Sequence, residues 1–249
     1  FTADEELVRS EVTIPSPEPD LLFQKAGPRA KVYFDPRKTR AAIVTCGGLC
    51  PGLNNVIRSA TLEMHHNYGI KEVLGIRFGY QGMRPDAPPP LRLTPESVEG
   101  IEKIGGTILG SSRGSPGTPA LVDYLENQEI DFLLCAGGDG TQRGAYQLHQ
   151  ECSRRGLKIA VVGIPKTIDN DVLYCDQTFG YFTAVEHARN VISSAHVEAR
   201  GARNGIAIVK LMGRDSGFIC AGAALASGEV NFALIPEQRF TLRGECGLL

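Results

Sequence analysis

Tryptophan is absent from the 249 residues, methionine is limited to 3, and neither sign of charge dominates. Lys and Arg number 26 against 28 Asp and Glu, a formal net charge of −2. So balanced a chain gives no electrostatic case for a DNA- or RNA-binding surface. No apolar run approaches the ~20 residues of a membrane-spanning helix; the longest uncharged small and apolar stretch is 216–228. Disorder is excluded as well, because 42% of the residues are hydrophobic and only 22% charged. CxxC spacing is missing. The seven cysteines (46, 50, 135, 152, 175, 220 and 246) are odd in number and several sit in apolar runs. They read as reduced thiols of a reducing compartment, not as a disulfide framework or zinc site. The acidic start has no hydrophobic signal core. It opens on Phe1 instead of Met, so residues preceding it are expected.

What is abundant is glycine, at 29 residues, which points to tight turns or to backbone lying close to a ligand. Residues 1–38 are polar and carry Pro15, Pro17, Pro19, Pro28 and Pro36. They are expected to form an arm or a poorly ordered lead-in. Apolar runs at 41–46, 73–78, 132–136, 159–164, 206–212 and 232–235 predict strands. Helical patterns fill 54–68, 97–104, 121–127, 142–155, 179–196 and 217–226. Strands alternating with helices, each strand a continuous Ile/Val/Leu run, predict an α/β fold with mostly parallel sheet and helices on both faces. Ligands in such folds bind at the carboxyl ends of the strands. His65, His66, His149, His187 and His196 lack a metal partner at helical spacing and read as non-ligands. The acidic run Asp4-Glu5-Glu6 reads as part of a solvated arm.

Five clusters follow predicted strands or precede helices. Residues 47–55 begin Gly47-Gly48 and hold Gly52, leaving backbone N–H groups near a helix start, an anion-binding arrangement that is neither GxxxxGK[ST] nor GxGxxG. Residues 105–114 set Ser111, Ser112 and Arg113 among glycines, which suits phosphate oxygens. Gly137-Gly138-Asp139-Gly140-Thr141 puts a carboxylate able to hold Mg²⁺ at a strand end, with glycines that admit phosphate. Pro165-Lys166-Thr167-Ile168-Asp169-Asn170-Asp171 offers two carboxylates, a candidate base and a candidate metal partner. Met212-Gly213-Arg214-Asp215 adds a guanidinium that can stabilise moving charge. Each also has a plain reading, as a strand-to-helix turn, a solvated loop or an Asx turn. Together they describe kinase chemistry: Asp139 for the metal of a nucleotide, Asp169 to take a hydroxyl proton, Arg214 and backbone N–H groups for the phosphoryl group.

From about Thr39 to Glu237 the chain resembles the 6-phosphofructokinase family. The match rests on GGLCPGLN at 47–54, GGTILGSSRG at 105–114, GGDGT at 137–141, PKTIDND at 165–171 and MGR at 212–214, all in the family's order. The resemblance implies two α/β domains with the active site between them, commonly in a tetramer. The chain would then divide into an arm (1–38), a nucleotide-binding domain (39–181) and part of a sugar-phosphate domain (182–249). It implies Asp139 as the Mg²⁺ residue, with Gly48, Arg113, Gly114, Gly138, Gly140 and Thr141 lining ATP. Thr167, Ile168, Asp169, Met212, Gly213 and Arg214 would contact fructose 6-phosphate. Asp169 would be the proton acceptor, and Thr167 and Arg214 would join it in catalysis. A cytoplasmic location is expected.

The family includes ATP and pyrophosphate users. Gly140 leaves room for the rest of a nucleotide, where pyrophosphate users typically carry Asp. Lys166 points the other way, and Gly140 with Lys166 resembles the ATP users of plants and kinetoplastids. ATP is the expected donor, since a Lys can be accommodated beside either one. The family's later Glu, Arg and His ligands are not on this chain, so the second domain is expected to be incomplete. Two competing readings remain: a pyrophosphate-dependent enzyme, and a nucleotide-binding piece without turnover. NAD and lipid kinases share GGDGT, but PKTIDND and MGR argue against them.

Overall fold

A computed structural model of the chain describes residues 1–9, 21–244 and 247. Its centre is a five-stranded sheet built on β3 (Arg40–Thr45), whose Ala41, Ala42, Ile43 and Val44 are wholly buried. β1 (Leu7–Arg9) and β2 (Leu22–Gln24) form a separate antiparallel pair in the arm. β4 (Glu72–Ile76) and β6 (Phe132–Gly137) flank β3 in parallel, and β7 (Ala160–Pro165) pairs in parallel with β6. The short β5 (Leu91–Arg92) closes the other edge antiparallel, giving the order β5-β4-β3-β6-β7.

Alternation along β3 sends side chains to two cores. Ala42 and Val44 join Leu133, Cys135 and Ile76 beneath α2 (Thr118–Asn127) and α3 (Asp139–Arg154). Ala41 and Ile43 join Val73 and Leu109 beneath α1 (Leu53–His66). Full burial of one such Ile or Val contributes about 1.5–3 kcal/mol, so this run alone anchors both layers. The expected α/β class, with helices on both faces of mostly parallel sheet, is what the chain forms. α4 (Tyr181–Gly201) and α5 (Phe218–Ser227) pack together around Ala188, Ile192 and Ala223.

Several local expectations change. Residues 206–212 and 232–235 are not strands. Val209 and Leu211 pack against the α4/α5 cluster while Ile208 is exposed, so alternate side chains meet the cluster without a ladder. A strand needs a neighbour to receive its N–H and C=O groups, and none is placed beside these segments among the described residues. Residues 97–104 form turns and one short 3₁₀ segment, Ile101–Lys103, instead of a helix. The arm holds the β1–β2 pair; Pro15, Pro17 and Pro19 lie outside the described residues. Cys46, Cys50, Cys135, Cys152, Cys175 and Cys220 are free thiols, and Cys246 lies outside the described residues. No helix among the described residues is long and apolar enough to cross a membrane.

Candidate active site

Register aligns the carboxyl ends of three strands. Thr45 pairs with Ala136, and Gly137 with Pro165, so the loops after β3, β6 and β7 leave the sheet side by side. Hydrogen bonds then hold these loops together. The Gly47 amide donates to the Ser112 carbonyl at 3.0 Å, and the Ser111 hydroxyl returns to the Gly47 carbonyl at 2.5 Å. Thr45 Oγ1 donates to the Gly110 carbonyl at 2.9 Å. Asn54, in the first turn of α1, clamps the same loop. Its Nδ2 donates to the Ile104 carbonyl at 2.9 Å, and its Oδ1 accepts from the Ile108 amide at 2.8 Å. The first two glycine clusters therefore form one surface.

GGDGT turns directly into α3. Gly138 precedes the helix, and both the Thr141 and Gln142 amides donate to its carbonyl, at 2.8 and 3.0 Å. The Asp139 and Gly140 amides lie ahead of these first bonds and face outward, as the opening N–H groups of a helix do. A Cβ on Gly140 would meet nothing within 4 Å. Thr141 is buried and fixed by Tyr80, whose hydroxyl donates to its carbonyl at 3.0 Å. Asp139 is exposed, and its carboxylate makes no hydrogen bond or ion pair with the described residues. No group of three or more His, Cys, Asp or Glu among the described residues is arranged to hold a metal ion by itself. One free carboxylate fits Mg²⁺, which is commonly held by one or two carboxylates with water and phosphate oxygens completing its shell.

The 165–171 loop is more tightly built. The Lys166 amide donates to the Gly137 carbonyl at 3.0 Å, and the Lys166 side chain is buried. Thr167 Oγ1 donates to Asp171 Oδ1 at 2.6 Å and accepts from the Asp169 amide at 3.1 Å. Asp171 thus holds Thr167, which leaves Asp169 as the available carboxylate. Asn170 takes a left-handed conformation (φ 57°), and its Oδ1 receives the Thr178 amide at 2.7 Å. Asp169 Oδ1 is shut from solvent and has no hydrogen-bond partner in the chain. Burial pushes its carboxyl above the ordinary value, the Asp171 charge adds to this, and Arg214 and Lys166 pull against it.

Arg214 is therefore within electrostatic reach of Asp169, from the turn that precedes α5. The Ser216 hydroxyl secures that turn by donating to the Asp169 carbonyl at 3.0 Å. Gly213 lies in the same turn at φ 128°, where a side chain would collide with the Ser216 carbonyl. Ile168 is half-buried, Met212 is exposed, and Gly48 is exposed at its loop tip. Gly114 turns at φ 86° beside Gln81. Arg113 is exposed and makes no hydrogen bond or ion pair with the described residues. The motif reading did not single out Asn54, Gln142, Asn170 or Ser216, although three of them adjoin or lie within a motif and Ser216 follows MGR by two residues.

Glycine loops and an open helix start at the carboxyl edge of an α/β sheet, with a shielded carboxylate and a guanidinium on neighbouring turns, are an arrangement chemically suited to phosphate groups. The family is phosphofructokinase, and the chain belongs to it: the family profile matches residues 40–247. The ATP-dependent 6-phosphofructokinase of Borreliella burgdorferi is 52% identical over 231 residues, 92% of this chain and 52% of that protein. ATP-dependent 6-phosphofructokinase 5, chloroplastic, of Arabidopsis thaliana is 51% identical over 91% of this chain and 42% of its own length. The structure of phosphofructokinase from Saccharomyces cerevisiae superposes with a TM-score of 0.64 at 27% identity, covering 77% of this chain and 28% of that one. The chain spans about half the length of the curated relatives it matches.

Proposed function

We propose that this chain carries the donor site and the catalytic base of an ATP-dependent 6-phosphofructokinase. The reaction moves the γ-phosphoryl group of ATP to the 1-hydroxyl of fructose 6-phosphate. The observation that carries the reading is the Asp169 carboxylate, shielded and unpartnered at Oδ1, within the electrostatic influence of Lys166 and Arg214. Asp169 takes the proton of the attacking 1-hydroxyl. Arg214 meets charge on the phosphoryl group as it moves. Gly48, Arg113, Gly114, Gly138, Gly140 and Thr141 line the nucleotide, with glycines admitting phosphates close to the backbone. Asp139 holds Mg²⁺, which when bound neutralises phosphate charge. Thr167, Ile168, Met212 and Gly213 join Asp169 and Arg214 around the sugar phosphate, and Thr167 also orders the base through the Asp169 amide.

The ATP assignment draws on Gly140, on the names of the relatives, and on their identity of about half. Residues 39–181 form the nucleotide-binding domain, 182–249 contribute to the sugar-phosphate domain, and 1–38 are an arm. The protein works in the cytoplasm as a homo-oligomer, a tetramer in keeping with the family's habit. The test is a coupled assay with fructose 6-phosphate and either MgATP or magnesium pyrophosphate, beside a nucleotide-binding titration. Bisphosphate formation with ATP is expected. Turnover on pyrophosphate alone would reverse the donor assignment. ATP binding without sugar phosphorylation under any condition would replace the kinase with a nucleotide-binding protein.

A further inference from the structure

Gln142 lies one residue beyond GGDGT, in the first turn of α3, and its side chain is half-buried. Its Nε2 faces three backbone carbonyls: Gly137 at 2.9 Å, Ile164 at 3.0 Å and Cys135 at 3.3 Å. The two shorter bonds go to different strands. Gly137 ends β6 where the metal-bearing loop begins, and Ile164 precedes Pro165 where the base-bearing loop begins. The Gly137 carbonyl also accepts the Lys166 amide, so a single oxygen is gripped from both loops. Three surrounding acceptors fix the amide's orientation, since turning it over would set Oε1 against carbonyl oxygens. Gly163 of β7 makes the arrangement possible, because a side chain there would collide with Oε1.

We infer that Gln142 is a positioning residue that sets the spacing between the loop carrying Asp139 and the loop carrying Asp169. The inference rests on the phosphoryl-transfer reading above. Transfer requires donor and acceptor oxygens in line and in near contact, and a misplacement of about 1 Å costs up to about 100-fold. A carboxamide donating to both strand ends holds that spacing directly. Nothing in α3 requires it, since the bonds leave the helix for the sheet.

The test compares the full protein with Gln142→Met, which keeps length and volume and removes both N–H donors. Turnover is expected to fall about 10- to 100-fold, with KM for ATP and for fructose 6-phosphate changed less than about threefold. ADP is expected to exceed fructose 1,6-bisphosphate, because a misaligned sugar hydroxyl loses phosphoryl groups to water. A variant with parental turnover and one ADP per bisphosphate overturns the inference, whatever its melting point. If Gln142→Met does not fold, Gln142→Glu decides the matter. Its protonated carboxyl keeps one donor, so activity relative to the parent rises as pH falls; a pH-independent ratio overturns the proposal. Amide exchange across 165–171, faster in either variant, needs no turnover. A protein that never phosphorylates sugar therefore defeats the functional reading while this measurement still judges Gln142.

Discussion

The Ser216 hydroxyl donates to the backbone carbonyl of Asp169 across 3.0 Å, joining segments 47 residues apart. Ser216 is buried, and the bond ties the turn carrying Arg214 to the loop carrying the candidate base. The two groups proposed to act on one phosphoryl group are thereby fixed relative to each other. Ser216→Ala leaves the Asp169 carbonyl short of a partner and is expected to cost about 1 kcal/mol. That lowers the melting temperature by about 2–4 °C. KM for fructose 6-phosphate should rise while KM for ATP holds. Equal increases in both would mean that the tie stabilises the fold without serving the acceptor site.

Asp169 makes the acid side of the pH profile informative. A base must be ionised to accept a proton, so kcat/KM falls as pH drops through the folded pKa. Burial and Asp171 raise that pKa, and the activity limb should lie above the ordinary carboxylate value of 3.8. Arg214 opposes the rise. Arg214→Met should therefore move the limb to higher pH, besides slowing transfer. Asp171→Asn should move it lower, since Asn keeps an acceptor for Thr167. Limbs that stay put in both variants would show that another group is the base.

The same carboxyl has a stability signature of opposite sense to its activity. Its pKa is raised on folding, so its protonated form favours the folded chain. That contribution is fully present below the unfolded value and is lost as pH rises through the folded one. Asp169→Asn should consequently melt higher than the parent at neutral pH, and the gap should close on acidification. The same variant should lose roughly two to four orders of magnitude in turnover while still binding ATP. Melting curves across a pH series, paired with a nucleotide titration, check both halves.

The glycine loops and the acidic motifs were legible in the sequence because their chemistry is local, and those at 47–54, 137–141 and 165–171 each follow an apolar run that forms a strand. Tertiary relations were not legible. Asp171 stands beside Asp169 as a second acid, and only the folded loop shows that it is engaged by Thr167. Gln142 looks like any polar helix residue until β7 places Gly163 and Ile164 against it. Residues 206–212 have the apolar run of a strand, but strand formation depends on a neighbour that no local pattern encodes. The β1–β2 pair escapes for a related reason: three-residue strands in a polar, Pro-rich context carry no periodic signal.

Gly180 marks the joint between the 165–178 loop and α4. It takes φ 87°, and a Cβ there would come within 2.6 Å of Cys50 Sγ and 2.7 Å of the Pro51 carbonyl oxygen. On the other side, Cys50 Sγ donates to the Phe179 carbonyl at 3.2 Å. Gly180→Ala meets both a left-handed backbone and a backbone contact that cannot yield. It should destabilise by about 1–3 kcal/mol and open the 47–52 loop to faster amide exchange. Cys50→Ser, which keeps a donor in a smaller side chain, should be far milder. An unchanged melting temperature in Gly180→Ala would mean that this joint rearranges freely.

Gly140 offers the cleanest separation of fold from donor choice. It is exposed, it lies in the first turn of α3, and a Cβ there touches nothing within 4 Å. Gly140→Asp can therefore be accommodated by the folded chain, and an acidic residue in the first helical turn is favourable with the macrodipole. The melting temperature should hold or rise slightly. In the proposed site, however, the new carboxylate would occupy and charge the space beyond phosphates held at GGDGT. KM for ATP should rise by at least about tenfold, which corresponds to about 1.4 kcal/mol of lost binding, with KM for fructose 6-phosphate unchanged. Pyrophosphate, which has no nucleoside to place there, should lose less. Retention of ATP affinity in a correctly folded Gly140→Asp protein would mean that the nucleotide leaves GGDGT in another direction, and Gly140 would no longer account for the choice of donor.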